Sequence, residues 1–374
     1  MIPTALLWLA FAVSSAAQVV LSPKYEPKVF IVTMFQPEEE AWTSRVSFPK
    51  NIKVPGLSPI YPHVRCVEDY SICHFTTGEG EINAAASMAF LLSSPKFDFS
   101  KTYWLLAGIA GGEPSKVTTG LVTFAKYAIQ IGLQYQVDPT EIPKKYLDWP
   151  SGYFSYGTRS PTEYPDAVYG TEVFELNGKL RDRAVEVVTS AGRLARGNEL
   201  NDRLRKLYTG PARGDPEVCG CDVLTSDNYF TGSILSDYFL DYSNLISNGT
   251  ANYCSAAQED NASLEAFIRM AQYGVVDFER IVVMRTISNF VRPPALLQDD
   301  PIDFFLDYPK GGFQVALDNL YYGGWPFVQD IIQNWTQIYN TNSLRSENYI
   351  GDILGTLGGK PDFGKDSYKI SSLL

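Results

Sequence analysis

Trp104-Leu105-Leu106-Ala107-Gly108-Ile109-Ala110-Gly111-Gly112 decides the fold. An apolar run that passes abruptly into Gly-Ile-Ala-Gly-Gly reads as a strand buried on both faces, with a far end that admits a closely approaching backbone or ligand. A small molecule is therefore expected at that end.

Working outward, further apolar strands are expected at Lys28–Thr33, in the run Gly120–Ala128, at Cys221–Asp227 and at Arg280–Asn289. Between them, Gly78–Ala89 reads as a glycine turn opening an alanine-rich helix. Tyr169–Leu207 reads as mostly helical, from apolar residues at three- and four-residue steps. Strands alternating with helices indicate a three-layer α/β domain. Phe313–Tyr339 reads as a helical cover belonging to a C-terminal helical extension from about residue 295, and the glycine-rich end after Glu347 as poorly ordered. No repeat or long linker divides the chain, so residues 18–374 are expected to form one catalytic-type domain.

The 374 residues are 45% apolar and 20% charged, with a net charge of -11. That balance supports a large core and disfavours a nucleic-acid partner. Residues 1–17 pair a short apolar core with Ser15-Ala16-Ala17, the pattern of a cleaved signal peptide, which implies a secreted protein of the cell-wall space or another secretory compartment. The apolar run Ala5–Val13 is too short to span ~30 Å of hydrocarbon, and no later segment is a transmembrane candidate. Five cysteines fit an oxidising compartment: Cys66 and Cys73 flank a short bend, and Cys254 has Cys219 or Cys221 as partner. With only two histidines no zinc spacing exists, and no metal or other cofactor is implied. Sequons occur at Asn248, Asn261 and Asn334, of which Asn248 sits in the most polar loop.

No G-x-S-x-G, P-loop, H-E-x-x-H or G-x-G-x-x-G is present. What remains is carboxylates, amides and hydroxyls at strand ends, an inventory suited to chemistry on a sugar.

Phe30-Ile-Val-Thr with its following glutamates, Gly78-Glu-Gly-Glu-Ile-Asn-Ala-Ala, Ala107-Gly-Ile-Ala-Gly-Gly, Gln258-Glu-Asp-Asn-Ala and Val283-Met-Arg-Thr-Ile-Ser-Asn289 occur in one order. This order resembles the nucleoside phosphorylase and nucleosidase superfamily, in particular the fungal purine nucleoside permease family. The resemblance implies a three-layer α/β/α fold with a mixed central sheet. It also implies a purine nucleoside ligand (inosine, guanosine or adenosine) and leaves the oligomeric state open, a homo-oligomer included. Glu259, beside Gln258, matches the carboxylate that accepts the ribose 2′- and 3′-hydroxyls. Asn289 matches the residue at purine N7, where Asn hydrogen-bonds but cannot protonate, which tilts the preference toward 6-oxopurines. Phe230 matches the aromatic on the base, with Asp227, Asn228 and Tyr229 nearby. Glu40, with Glu38 as the alternative, matches the glutamate that activates water. Phosphorylases of this superfamily carry an arginine and a Ser or Thr around the glycine of the pivot strand; here Leu106 and Ile109 flank Gly108. Hydrolysis is therefore expected over phosphorolysis unless another segment brings an arginine. The alternative function is nucleoside binding in transport without catalysis.

Overall fold

The computed structural model describes residues 25–146, 149–308 and 311–363; the expected leader lies outside them. The chain opens with β1 (Val29–Thr33) and α1 (Gln36–Thr43). It continues through β2 (Lys50–Lys53), β3 (His63–Cys66) and β4 (Ile72–Thr76) to α2 (Glu81–Leu92) and the long β5 (Tyr103–Gly112). Next come β6 (Val122–Ala125), β7 (Tyr127–Gln130) and a separate ribbon of β8 (Tyr135–Gln136) with β9 (Tyr153–Phe154). They are followed by β10 (Val173–Glu175), α3 (Gly178–Ala191), α4 (Glu199–Lys206), β11 (Val218–Gly220) and β12 (Asp222–Thr225). The rest is α5 (Ser233–Ile246), β13 (Tyr253–Ala257), α6 (Asp260–Ala271), β14 (Ile281–Phe290), α7 (Pro301–Leu306), α8 (Gly312–Gln333) and β15 (Gly351–Asp352).

Strand alternation sorts the core into layers. Phe30, Val32, Trp104, Leu106, Ile281 and Val283 point to one face, where Met88 and Leu91 of α2 and Leu264 and Phe267 of α6 cover them. Val29, Ile31, Tyr103, Leu105, Val282 and Met284 point to the other, beneath Trp42 of α1, Leu180 of α3 and Leu320 and Phe327 of α8. Each large side chain so buried contributes ~1.5–3 kcal/mol of transfer free energy. The result is a three-layer α/β/α fold around a mixed sheet: β5 runs parallel to β1 and β14 and antiparallel to β13.

Two expectations need correction. The Tyr169–Leu207 run begins as strand, because Val173-Phe174-Glu175 is wholly buried beside β7, and the helix starts only after Asn177, whose side chain accepts from Leu180 N. The stretch after Glu347 is partly ordered by pairing: Gly351 and Asp352 add β15 to the edge of β10. Disulfides join Cys66 to Cys73 and Cys221 to Cys254, leaving Cys219 free. Asn261 is buried, its amide held by Thr225 and the Thr171 carbonyl, whereas Asn248 is exposed.

Candidate functional site

One edge of β5 is shared. β1 pairs with it as far as Leu106, and β13 takes over at Gly111, so no strand covers the stretch between on that edge. Ile109 lies in the gap, and side chains satisfy its peptide groups. Its N–H donates to Glu38 Oε1 at 2.7 Å, and its carbonyl accepts from Arg285 Nη1 at 3.2 Å. The other Glu38 oxygen accepts from Met34 N at 2.7 Å, so α1 is fastened to the sheet by the carboxylate itself. Glu38 is 1% exposed. Burial pushes its carboxyl up to about 8 although Arg285 pulls the other way.

Arg285 comes from the middle of β14, in register with Gly108. A β-carbon at 108 would lie 2.3 Å from Arg285 Nη1 and 2.9 Å from Glu38 Oε1, so only glycine leaves room for the pair. All five guanidinium N–H groups have partners. Nε donates to Asp260 Oδ2 at 3.0 Å, and Nη2 donates to Asp260 Oδ1 at 2.6 Å and more loosely to Glu259 Oε2 at 3.4 Å. Nη1 divides between the Ile109 carbonyl and Met34 Sδ. Such a fork on a carboxylate is the strong form of the contact.

Glu259 closes β13 onto α6. Its Oε1 also accepts from Gly80 N at 3.1 Å, at the start of α2, where a backbone φ of 87° requires glycine. Burial raises its carboxyl above the ordinary range, with Arg285 opposing. Each oxygen keeps an unused lone pair toward the space in front.

That space is a cavity of about 260 Å³. Glu38, Glu259, Arg285 and Met34 form one wall; Ile131, Leu224, Phe230, Val291 and Asn289 form the other; Phe35, Phe305, Phe313 and Tyr229 ring the mouth. Polar groups converging on one end and a flat apolar slot at the other are the usual make-up of a small-ligand pocket. Phe230 is fixed edge-on by Phe239 of α5.

Of the residues named from sequence, Asn289, Glu259, Gln258, Phe230, Asn228 and Ile109 line this cavity. Three do not. Glu40 is exposed, bonded to Gln36, and faces a separate depression beside His63 and Arg65. Two residues along a helix turn the side chain by about 200°, so Glu38 and Glu40 cannot share a face, and Glu38 takes the place. Asp227 accepts from Glu81 N at 2.8 Å and anchors the start of α2. Gly108 lies behind the wall and makes space for Arg285 rather than for a ligand. The expectation that this end of the pivot strand is served by no arginine is also overturned, since the neighbouring strand supplies Arg285 to the cavity wall. Arg285 and Asp260 were missed from sequence. Their signal was available: a lone cation in a buried strand, Val283-Met284-Arg285-Thr286, requires a buried carboxylate.

Comparison with known proteins agrees with this arrangement. Residues 26–343 match the family described as purine nucleoside permease (NUP). A purine nucleoside permease of Candida albicans is 52% identical over 346 residues, 92% of this chain and 84% of that protein. A Schizosaccharomyces pombe protein named as a probable purine nucleoside permease is 36% identical over 322 residues, 83% of this chain and 91% of its own length. Among solved structures, a 5′-methylthioadenosine/S-adenosylhomocysteine nucleosidase from Neisseria meningitidis matches at 14% identity and a TM-score of 0.49, covering 81% of this chain and 98% of its own. A family match over most of the chain, with curated relatives aligned along most of their own lengths, places this protein in the purine nucleoside permease family.

Proposed function

We propose that the cavity binds a purine nucleoside and hydrolyses its N-glycosidic bond. The observation that carries this reading is Glu38, a buried carboxyl with proton affinity near neutrality, in one wall with the Glu259–Arg285 pair. Glu259 takes the ribose 2′- and 3′-hydroxyls as a bidentate acceptor. The purine lies in the apolar slot against Phe230, with Asn289 at its N7 edge. Water in front of Glu38 forms the new bond to C1′ as the C1′–N9 bond breaks. Glu38 takes the water proton, and the electron pair leaves on the purine, which Asn289 stabilises by a hydrogen bond and solvent then protonates. The carboxylates stabilise the positive charge that develops on the sugar.

Water is favoured over phosphate because the guanidinium has no donor left, and Glu38, Glu79 and Glu259 face a dianion with like charge. The test is incubation of the purified protein with inosine, guanosine or adenosine in phosphate-free buffer. Free base with ribose supports hydrolysis; release that strictly requires phosphate and yields ribose 1-phosphate overturns it.

The names of the relatives favour a second reading, a nucleoside-binding component of transport that does no chemistry. Among the described residues no helix is long and apolar enough to cross a membrane, so on this reading a separate component carries the nucleoside across. Tight binding without turnover selects it. We further propose that the chain is secreted after loss of residues 1–17 and glycosylated at Asn248; the two disulfides support an oxidising compartment. Amino-terminal sequencing and deglycosylation of native material test this.

A further inference from the structure

Where β14 meets the far end of β5 the register slips: Ile287 faces Ala110 and Asn289 faces Gly111, leaving Ser288 as the extra residue of a bulge. The bulge puts the Ser288 hydroxyl, buried in the cavity wall, between two acceptors. Oγ lies 3.1 Å from the Ala110 carbonyl and 2.9 Å from Asn289 Oδ1. A hydroxyl has one proton and can serve only one of them, though it also accepts. The one other polar contact of the Asn289 amide is weak, Nδ2 to the Phe290 carbonyl at 3.5 Å.

We propose that Ser288 is a positioning residue, a hydroxyl rotor that lets Asn289 present either end of its amide to the base, so that one pocket accepts both 6-oxo- and 6-aminopurine nucleosides. With the proton on Asn289 Oδ1, Nδ2 is turned to the ligand and donates to N7 and a 6-oxo group. With the proton on the Ala110 carbonyl, the amide turns over, Nδ2 donates to Ser288 Oγ, and Oδ1 accepts from a 6-amino group. Both arrangements keep the hydroxyl in two hydrogen bonds, which makes their energies close. This inference rests on the nucleoside reading of the cavity and is independent of turnover.

The experiment is calorimetric binding of inosine and adenosine to the full chain and to three variants. Wild type is expected to bind the two within about tenfold of each other, whereas a site committed to one hydrogen-bond pattern rejects the other by several orders of magnitude. Ser288→Ala should weaken both by about fivefold and leave their ratio unchanged, with Ser288→Thr restoring both. Asn289→Asp, which keeps an acceptor and loses the donor, should retain adenosine and lose inosine. Wild-type discrimination beyond about a hundredfold overturns the rotor, as does a Ser288→Ala protein that binds both ligands like wild type. If neither nucleoside binds, the nucleoside reading itself fails and the rotor with it, an outcome distinct from one-sided binding.

Discussion

Gly108 and Arg285 sit opposite each other on β5 and β14, and the guanidinium fills the volume that any side chain at 108 would claim. The ion pairs of the cavity wall therefore depend on a residue that touches no ligand. Gly108→Ala should push Arg285 away from the Ile109 carbonyl and cost ~1–3 kcal/mol, the range for overpacking a filled interior. Urea denaturation reads the loss, and nucleoside affinity should fall with it. An unchanged midpoint would mean that the wall has slack.

Arg285→Met leaves Glu259, Asp260 and Glu38 without their common cation. Removing one partner of a buried pair costs ~3–5 kcal/mol because the remaining charges stay desolvated. We expect a large drop in the denaturation midpoint at pH 8, smaller at pH 5, where raised carboxyls such as Glu38 and Glu259 take up protons. Equal losses at both pH values would argue against charge as the cause.

Glu38 ties activity to pH with a definite sign. Its folded-state carboxyl is raised from 4.5 to about 8, so below that value it holds its proton and cannot accept one from water. Hydrolysis, measured as kcat/KM for inosine, should rise about tenfold per pH unit up to pH ~8 and then level off. Glu38→Gln should abolish the slope along with a ~10²–10⁴-fold loss of rate. Because the folded protein binds this proton more tightly than the unfolded chain, stability falls as pH rises from 4.5 toward 8, the same window in which activity grows.

His74 acts in the opposite direction. It is fully enclosed, its Nε2 shared with Thr33 Oγ1 at 3.0 Å, and burial lowers its pKa from 6.5 to about 3. Between those values the unfolded chain takes up a proton that the folded protein refuses. Acidification below pH 6.5 should therefore cost up to ~1.4 kcal/mol per unit from this residue. His74→Asn should flatten the acid limb of a stability–pH profile by one proton, while lowering stability at pH 7 through the altered packing. An acid limb of unchanged slope would refute the assignment.

The layers were readable from sequence because β1, β5 and β14 are apolar on both faces, and period-two alternation then fixes what each face meets. Glu259 and Asn289 were readable because each closes an apolar strand. Glu38 was harder, since three consecutive glutamates look alike until the helix phase is known, and Phe35-Gln36-Pro37 sets that phase. Arg285 escaped because the search for a cation followed β5, whereas the side chain arrives from the strand beside it. The strand at Val173–Glu175 was hidden by its neighbours: a three-residue strand is shorter than a helical turn and vanishes into the period of α3.

The shared edge of β5 also divides the labour of the molecule. Strand pairing holds Tyr103–Leu106 to β1 and Gly111–Gly112 to β13, while Ile109 between them is tied only by side chains from elsewhere in the chain. Chemistry at this site can therefore be retuned by changing what reaches into the gap, with the scaffold on either side left as it is. A laboratory seeking a new sugar or base specificity would diversify Met34, Glu38, Ser288 and Asn289 and leave β5 itself untouched.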